Sequence, residues 1–184
     1  GELGWEIYIP IEKSKEVYEA IVSEEKEFKL VHAGAHSMDI MRMEKGYLHW
    51  GHDISPAENP YEANLDFAVK LNKKENFIGK DFLKKTKKLK SKKLVMFSIN
   101  NSEPGNPLVL HDEPIFFENK IVGEVTSGNY SFNYNMNIVF AYISQDIDIE
   151  NNEKKFEVEI AKKKYKLNFL KKPIHDPLNL YTKV

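Results

Sequence analysis

Apolar positions along the chain change their period near residue 90. Before that point two stretches follow a helical period. Ser14 can cap a helix with Glu16 in its first turn, and Val17, Tyr18, Ile21, Val22 and Phe28 recur at the spacing of one buried face. A second helix is predicted from about His36 to Lys45, with Met38, Ile40 and Met41 apolar and Gly46 as its stop. Trp5 to Ile11 is rich in Ile, Tyr and Trp and predicts a strand ending around Pro10; Leu65 to Leu71 predicts another. Gly79 to Leu89 reads as a short helix with Phe82, Leu83, Thr86 and Leu89 inward. Beyond Lys90 the pattern is nearly all β. Leu94–Ile99, Pro114–Phe117, Ile121–Val125, Ile138–Ile143, Phe156–Ile160 and Tyr165–Phe169 are short β-branched or aromatic segments. Turn residues separate them, as at Glu118-Asn119-Lys120, and this spacing suggests a small barrel or sandwich. The boundary falls near Lys90.

Composition narrows the classes. The 184 residues allow one or two domains with a real core, and no apolar run is long enough to span a membrane as a helix. The absence of cysteine excludes disulfides, thiolate catalysis and Cys-ligated metals. A net charge of −1 gives no global field to attract nucleic acid or anionic lipid. The chain begins at Gly1, inside a predicted strand, which suggests an excised part of a longer protein.

Chemistry-bearing residues cluster in four places. Residues 70–93 hold eleven lysines against Glu75 and Asp81. This could be a polyanion-binding face, but the stretch lacks arginine and has only Phe77 and Phe82 as aromatics, at least one of which the helix pattern buries, so a solvated helix face and linker is the plainer reading. His49, His52 and Asp53 have ligand-like spacing, yet no third distant ligand is signalled; a polar loop is favoured over metal. Glu2 and Glu6 fall on one face of the first predicted strand. A carboxylate fixed there could accept two parallel hydrogen bonds from an N–H/NH2 edge, or simply be solvated; spacing does not decide. Arg42 is the one arginine in a chain with 26 lysines, inside an apolar-periodic helix. That position calls for a planar fork, either to clamp a ligand carboxylate or to bridge an acid such as Glu44 or Asp39. No Gly-rich phosphate loop and no G-x-S-x-G elbow occurs.

Several motifs resemble, in order, landmarks of the folate-binding aminomethyltransferase family, the glycine cleavage T-protein and its relatives. They are Gly1-Glu2-Leu3-Gly4-Trp5-Glu6, Met41-Arg42-Met43-Glu44-Lys45-Gly46-Tyr47, and His49-Trp50-Gly51-His52-Asp53-Ile54. Then come Phe77-Ile78-Gly79-Lys80, Val122-Gly123-Glu124-Val125-Thr126-Ser127-Gly128 and Pro173-Ile174-His175-Asp176-Pro177. Gly-Glu-Leu-Gly-Trp-Glu and His-Trp-Gly look most like the folate module of dimethylglycine and sarcosine dehydrogenases. Tyr47 stands where the iron–sulfur-repair branch carries a cysteine. Asn129 replaces the family's second Gly, and Asn135-Met136-Asn137 replaces a Leu-Gly-Lys-like turn.

The resemblance implies an α+β fold. Residues 1–89 would be the C-terminal portion of the folate-binding domain, and residues 90–184 a small antiparallel β-barrel. It implies tetrahydrofolate as cofactor, with FAD only on a part absent here, and an N-methyl amine whose one-carbon unit passes to the folate. Glu2 matches the acid that binds the pterin amino edge, and Arg42 matches an arginine near the folate. Tyr8, Tyr47 and Trp50 could supply an aromatic wall. No catalytic residue and no metal ligand is expected in this stretch, which alone should be inactive. Upstream domains of the same protein are the expected partners, with neither nucleic acid nor membrane, and a cytoplasmic location is expected. The alternatives are a T-protein-like aminomethyltransferase acting on a lipoyl carrier, a folate-dependent demethylase, or a non-catalytic folate-binding module.

Overall fold

The computed structural model describes residues 4–87, 89–153 and 155–181. Helices α1 (Ser14–Ser23), α2 (Glu25–Phe28), α3 (Ala35–Glu44) and α4 (Lys80–Thr86) precede seven strands. These are β1 (Lys92–Ile99), β2 (Pro114–Phe117), β3 (Lys120–Ser131), β4 (Met136–Ser144), β5 (Phe156–Ile160), β6 (Lys163–Lys166) and β7 (Asn168–Phe169). All pair antiparallel in one sheet of order β6-β5-β2-β3-β4-β1-β7.

Sheet closure is local in sequence. β6 pairs with β5 at one edge and β7 with β1 at the other, yet only Leu167 lies between them. The single segment Lys163–Phe169 therefore spans both edges and curls the sheet, with Leu167 buried inside. Two-residue turns at Glu118-Asn119 and Ala161-Lys162, all at positive φ, supply the twist that tight hairpins need.

β4 is covered on both faces, and its alternation shows how. Val139, Ala141 and Ile143 join Phe97, Val125, Phe156 and Leu167 in the interior. Ile138, Phe140 and Tyr142 point the other way, against Ile40 and Met43 of α3 and against Leu94. Helix α3 thus lies on the outside of the curled sheet.

Two strand expectations fail. Residues 4–10 have no regular structure, and Trp5 and Tyr8 are each 88% exposed. Leu65–Leu71 is a turn around a 3-10 segment, Asp66–Ala68. Strand propensity favours an extended backbone, but a strand needs a partner edge, and none of the described strands pairs with either stretch. In α4, Phe82 is exposed rather than inward, as is Leu89 after it, because nothing packs on that side. No helix among the described residues is long and apolar enough to cross a membrane.

Candidate functional site

The site begins at the end of α3. Lys45 is its C-cap and Gly46 follows at φ 77. Gly46 N–H donates to the Met43 carbonyl at 3.0 Å, and Tyr47 N–H donates to the Arg42 carbonyl at 2.8 Å. This is the paired closure that a left-handed glycine permits, and it turns the chain sharply out of the helix. Any Cβ on Gly46 would also come within 2.7 Å of the Pro173 ring.

Arg42 is largely covered and fully engaged. Its Nε donates to Asp39 Oδ1 at 2.9 Å, and its Nη2 lies 2.8 Å from the same oxygen. Nη1 donates to the Tyr47 carbonyl at 3.1 Å and to Asp53 Oδ2. Nη2 donates to Ser127 Oγ at 2.9 Å. The guanidinium has five N–H groups, and these contacts account for the fork in every direction. Its reverse side stacks over Phe140, 5.4 Å from the ring centroid.

Asp53 answers from the other side. It is 1% exposed, and Oδ1 accepts from Thr126 Oγ1 at 2.6 Å while Oδ2 accepts from His49 N–H at 2.8 Å as well as from Arg42. One carboxylate thus ties the loop 47–54 to α3 and to β3. Within that loop Gly51, at φ 90, donates to the Ile54 carbonyl at 2.8 Å and leaves Trp50 64% exposed. The His49 and His52 rings lie 4.5 Å apart. Both oxygens of Asp53 are already used, and among the described residues no group of three His, Cys, Asp or Glu is placed to hold a metal.

Three more polar residues of α3 and its cap reach the barrel. Asn129 donates to Asp39 Oδ2 at 3.1 Å, so the residue replacing the expected glycine has a partner. Buried Glu44 accepts from Ser131 Oγ at 2.6 Å and from Asn133 Nδ2 at 3.0 Å. Lys45 Nζ donates to Asp176 Oδ2 at 2.8 Å and to the Asp176 carbonyl at 2.7 Å, with both side chains almost wholly buried. Burial pushes the Asp176 carboxyl up, but the Lys45 ammonium and the N–H groups of Leu180 and Tyr181 outweigh it and hold it below the ordinary range. Glu58 and Glu62 behave alike. Burial raises each, while Lys92 and Ser55 lower Glu58, and Ser91 and Asn59 N–H lower Glu62. Burial, with the nearby Glu58, Asp53 and Glu62 charges, pushes the Tyr142 phenol far up and keeps it neutral.

The three depressed carboxylates set a pH dependence. The folded state binds fewer protons than the unfolded state in the window below the ordinary carboxylate pKa of about 4. Their stabilisation is therefore complete at neutral pH and lost as pH falls through the lowered values. The urea midpoint should be flat near pH 7 and drop below about pH 4; a midpoint unchanged down to pH 3 would contradict these assignments.

Of the five residues expected to bind the cofactor, the structure joins two directly and places a third on the same loop. Arg42 holds Tyr47 through its carbonyl, and Asp53 holds the loop that carries Trp50. Tyr47 and Trp50 present exposed aromatic surface. Tyr8 is exposed on residues 4–10, its hydroxyl donating to Glu6 at 2.6 Å, and among the described residues it makes no hydrogen bond or ring contact with the others. Glu2 lies outside the described residues. Asp53 was singled out by its spacing to His49 and His52 but serves Arg42 instead, and Thr126 and Ser127 are site residues that no spacing signal marked, since they meet Asp53 and Arg42 only through the fold.

The curled antiparallel sheet with a helix on its outer face is a fold shared with a solved aminomethyltransferase. The model of the glycine cleavage T-protein C-terminal barrel domain matches residues 92–176, and that of the GCVT N-terminal domain matches residues 1–73. The chain belongs to the glycine cleavage T-protein (aminomethyltransferase) superfamily. It is 35% identical over 179 residues to a mitochondrial dimethylglycine dehydrogenase of Mus musculus, covering 95% of this chain and 20% of that protein. It is 37% identical over 176 residues to an aminomethyltransferase of Listeria welshimeri, covering 95% of this chain and 46% of that one. The solved glycine cleavage aminomethyltransferase T of Bartonella henselae shares the fold, with a TM-score of 0.76 and 21% identity. That match covers 92% of this chain and 45% of the other. The chain thus spans a fifth to a half of the length of these relatives.

Proposed function

We propose that this chain is the C-terminal part of a tetrahydrofolate-dependent one-carbon enzyme of the dimethylglycine and sarcosine dehydrogenase type. In the whole protein the one-carbon unit of an N-methyl amine passes to the folate, after oxidation by an FAD-bearing part that lies elsewhere. The observation that carries the reading is the 35% identity to dimethylglycine dehydrogenase along 95% of the chain. The local geometry suits a flat heteroaromatic ligand. The exposed faces of Tyr47 and Trp50 can stack on such a ring, and the Arg42–Asp53 tie holds the loop that carries them. Glu2 would pair with the amino edge of the pterin through two parallel hydrogen bonds.

The role proposed for Arg42 is positioning. Its N–H groups are committed to Asp39, Asp53, Ser127 and the Tyr47 carbonyl, so it acts on the ligand through the loop. What the residues supply is orientation and exclusion of water around a nucleophilic folate nitrogen. The second reading is an aminomethyltransferase without a flavin domain. The Listeria relative favours it, being 37% identical over 95% of this chain. Calorimetric titration of tetrahydrofolate into the full-length protein should show saturable binding under either reading. Absence of binding would overturn both, and flavin in the purified full-length protein separates them.

A further inference from the structure

The lysine-rich stretch acquires a shape in three dimensions. Residues 70–93 carry eleven lysines against two carboxylates, while the rest of the chain carries sixteen basic and twenty-six acidic residues. The near-neutral total thus hides a strong separation of charge. Some of the lysines are spent internally. Lys80 Nζ donates to the Lys73 carbonyl at 2.8 Å, Lys92 pairs with Glu58 at 2.8 Å, and Lys93 donates to the Ile147 carbonyl at 2.6 Å. Lys70, Lys85 and Lys87 have no carboxylate within ion-pair distance among the described residues. Lys73 reaches Glu75 only at 3.9 Å across an exposed pair that water screens.

Lys70, Lys73 and Lys87 come together around a cavity of about 360 Å³ between the 66–73 segment and the end of α4. Asp66 is its one acidic wall residue. Phe67, Ile78, Phe82 and Leu89 are exposed on the same stretch of chain. Solvated cations without carboxylate partners, on the same stretch of chain as uncovered large apolar side chains, make a surface that a partner of opposite charge with apolar groups would complement.

We propose that this surface docks an acidic polypeptide segment that also carries apolar side chains, with one or two of its carboxylates entering the lysine-lined cavity. The chemistry favours a polypeptide over other polyanions. The stretch has no arginine for bidentate phosphate recognition. Phe67 and Phe82 sit on separate segments rather than forming a stacking row for bases. The seven-residue α4 is too short to lie in a lipid interface as an amphipathic anchor.

The test uses fluorescence anisotropy with a short labelled peptide of Glu-Glu-Leu repeats. Oligo-dT of similar length and vesicles of phosphatidylcholine with phosphatidylserine serve as competitors. The peptide should bind saturably and weaken about tenfold between ~50 and ~200 mM salt. The triple variant K70E/K73E/K87E should lose at least about tenfold in affinity, and Phe82→Ser several-fold, with unchanged circular dichroism, because all these side chains lie at the surface. Lys162→Glu with Lys163→Glu, in the β5–β6 hairpin, should leave binding as it was. Three results would overturn the docking surface: no saturable binding at ~50 mM salt, equal loss in the hairpin control, or oligo-dT or vesicles binding as tightly as the peptide.

Discussion

Arg42→Lys is expected to destabilise the chain by about 2–4 kcal/mol although the charge is kept. An ammonium on a flexible stem offers three donors from one point and cannot reach Asp39, Asp53, Ser127 and the Tyr47 carbonyl together. Asp53, 1% exposed, then loses the one cation that pairs with it among the described residues and becomes a buried, under-paired carboxylate. Thr126 and His49 N–H still bond it, which caps the loss below that of a bare buried charge. Two further consequences follow from the geometry. The loop 47–54 loosens, so Trp50 fluorescence should shift before the barrel unfolds. Ser127 and Asp39 are left to water, so the helix–sheet contact weakens and the urea midpoint falls. A midpoint within about 0.5 kcal/mol of the parent, typical of an exposed substitution, would mean that the fork is dispensable.

Gly123→Ala should be of similar size, roughly 2–3 kcal/mol, for a different reason. Gly123 pairs with Ile143 across the β3–β4 ladder, beside the bulge between Val125 and Ser127. A Cβ built there would lie 1.9 Å from the Tyr142 carbonyl oxygen, 2.8 Å from its carbon and 2.9 Å from Ile143 Cα. All three are backbone atoms, so no side-chain rotation relieves the clash. The ladder must shift, and β4 is the strand that packs both the interior and α3. Chemical denaturation of the variant measures the cost directly. An unchanged midpoint would show that the strands can part here without penalty.

Much of the barrel was legible because each strand announces itself locally. Pro114–Phe117 and Phe156–Ile160 are bounded by turn residues and coincide with β2 and β5. β3 runs past the expected Val125 to Ser131. Its second half, Thr126-Ser127-Gly128-Asn129, is small and polar and reads as turn, yet it pairs with β4 because Val109 packs against the bare Gly128 and Thr126 and Ser127 have partners on α3's side. The Ala161-Lys162 turn carries none of the Gly or Asn that positive φ favours, and the expected single strand Tyr165–Phe169 is divided at Leu167 between β6 and β7. Closure of the sheet by one segment is a tertiary fact with no local signal.

The site was half legible for the same reason. Gly46 marks the end of α3, and a lone arginine in a lysine-biased chain marks a demand for a planar donor. Asp39, three residues away on the helix, was a candidate partner and is one. Glu44 was the other candidate and serves Ser131 and Asn133 instead. Asp53 and Ser127, 11 and 85 residues from Arg42, are partners that only the fold supplies. The expected strand at Trp5–Ile11 failed because β-propensity is satisfied only when another edge is present.

The central claim is that this chain contributes to a tetrahydrofolate site, and its most direct test is Glu2→Gln in the full-length protein. The substitution keeps size and one acceptor oxygen but removes the charge that accepts both hydrogen bonds of the pterin edge. Calorimetry with tetrahydrofolate should show affinity weakened by about 1–3 kcal/mol, with thermal stability unchanged. Unchanged affinity in the folded variant would contradict the pterin assignment and with it the folate site proposed for this chain.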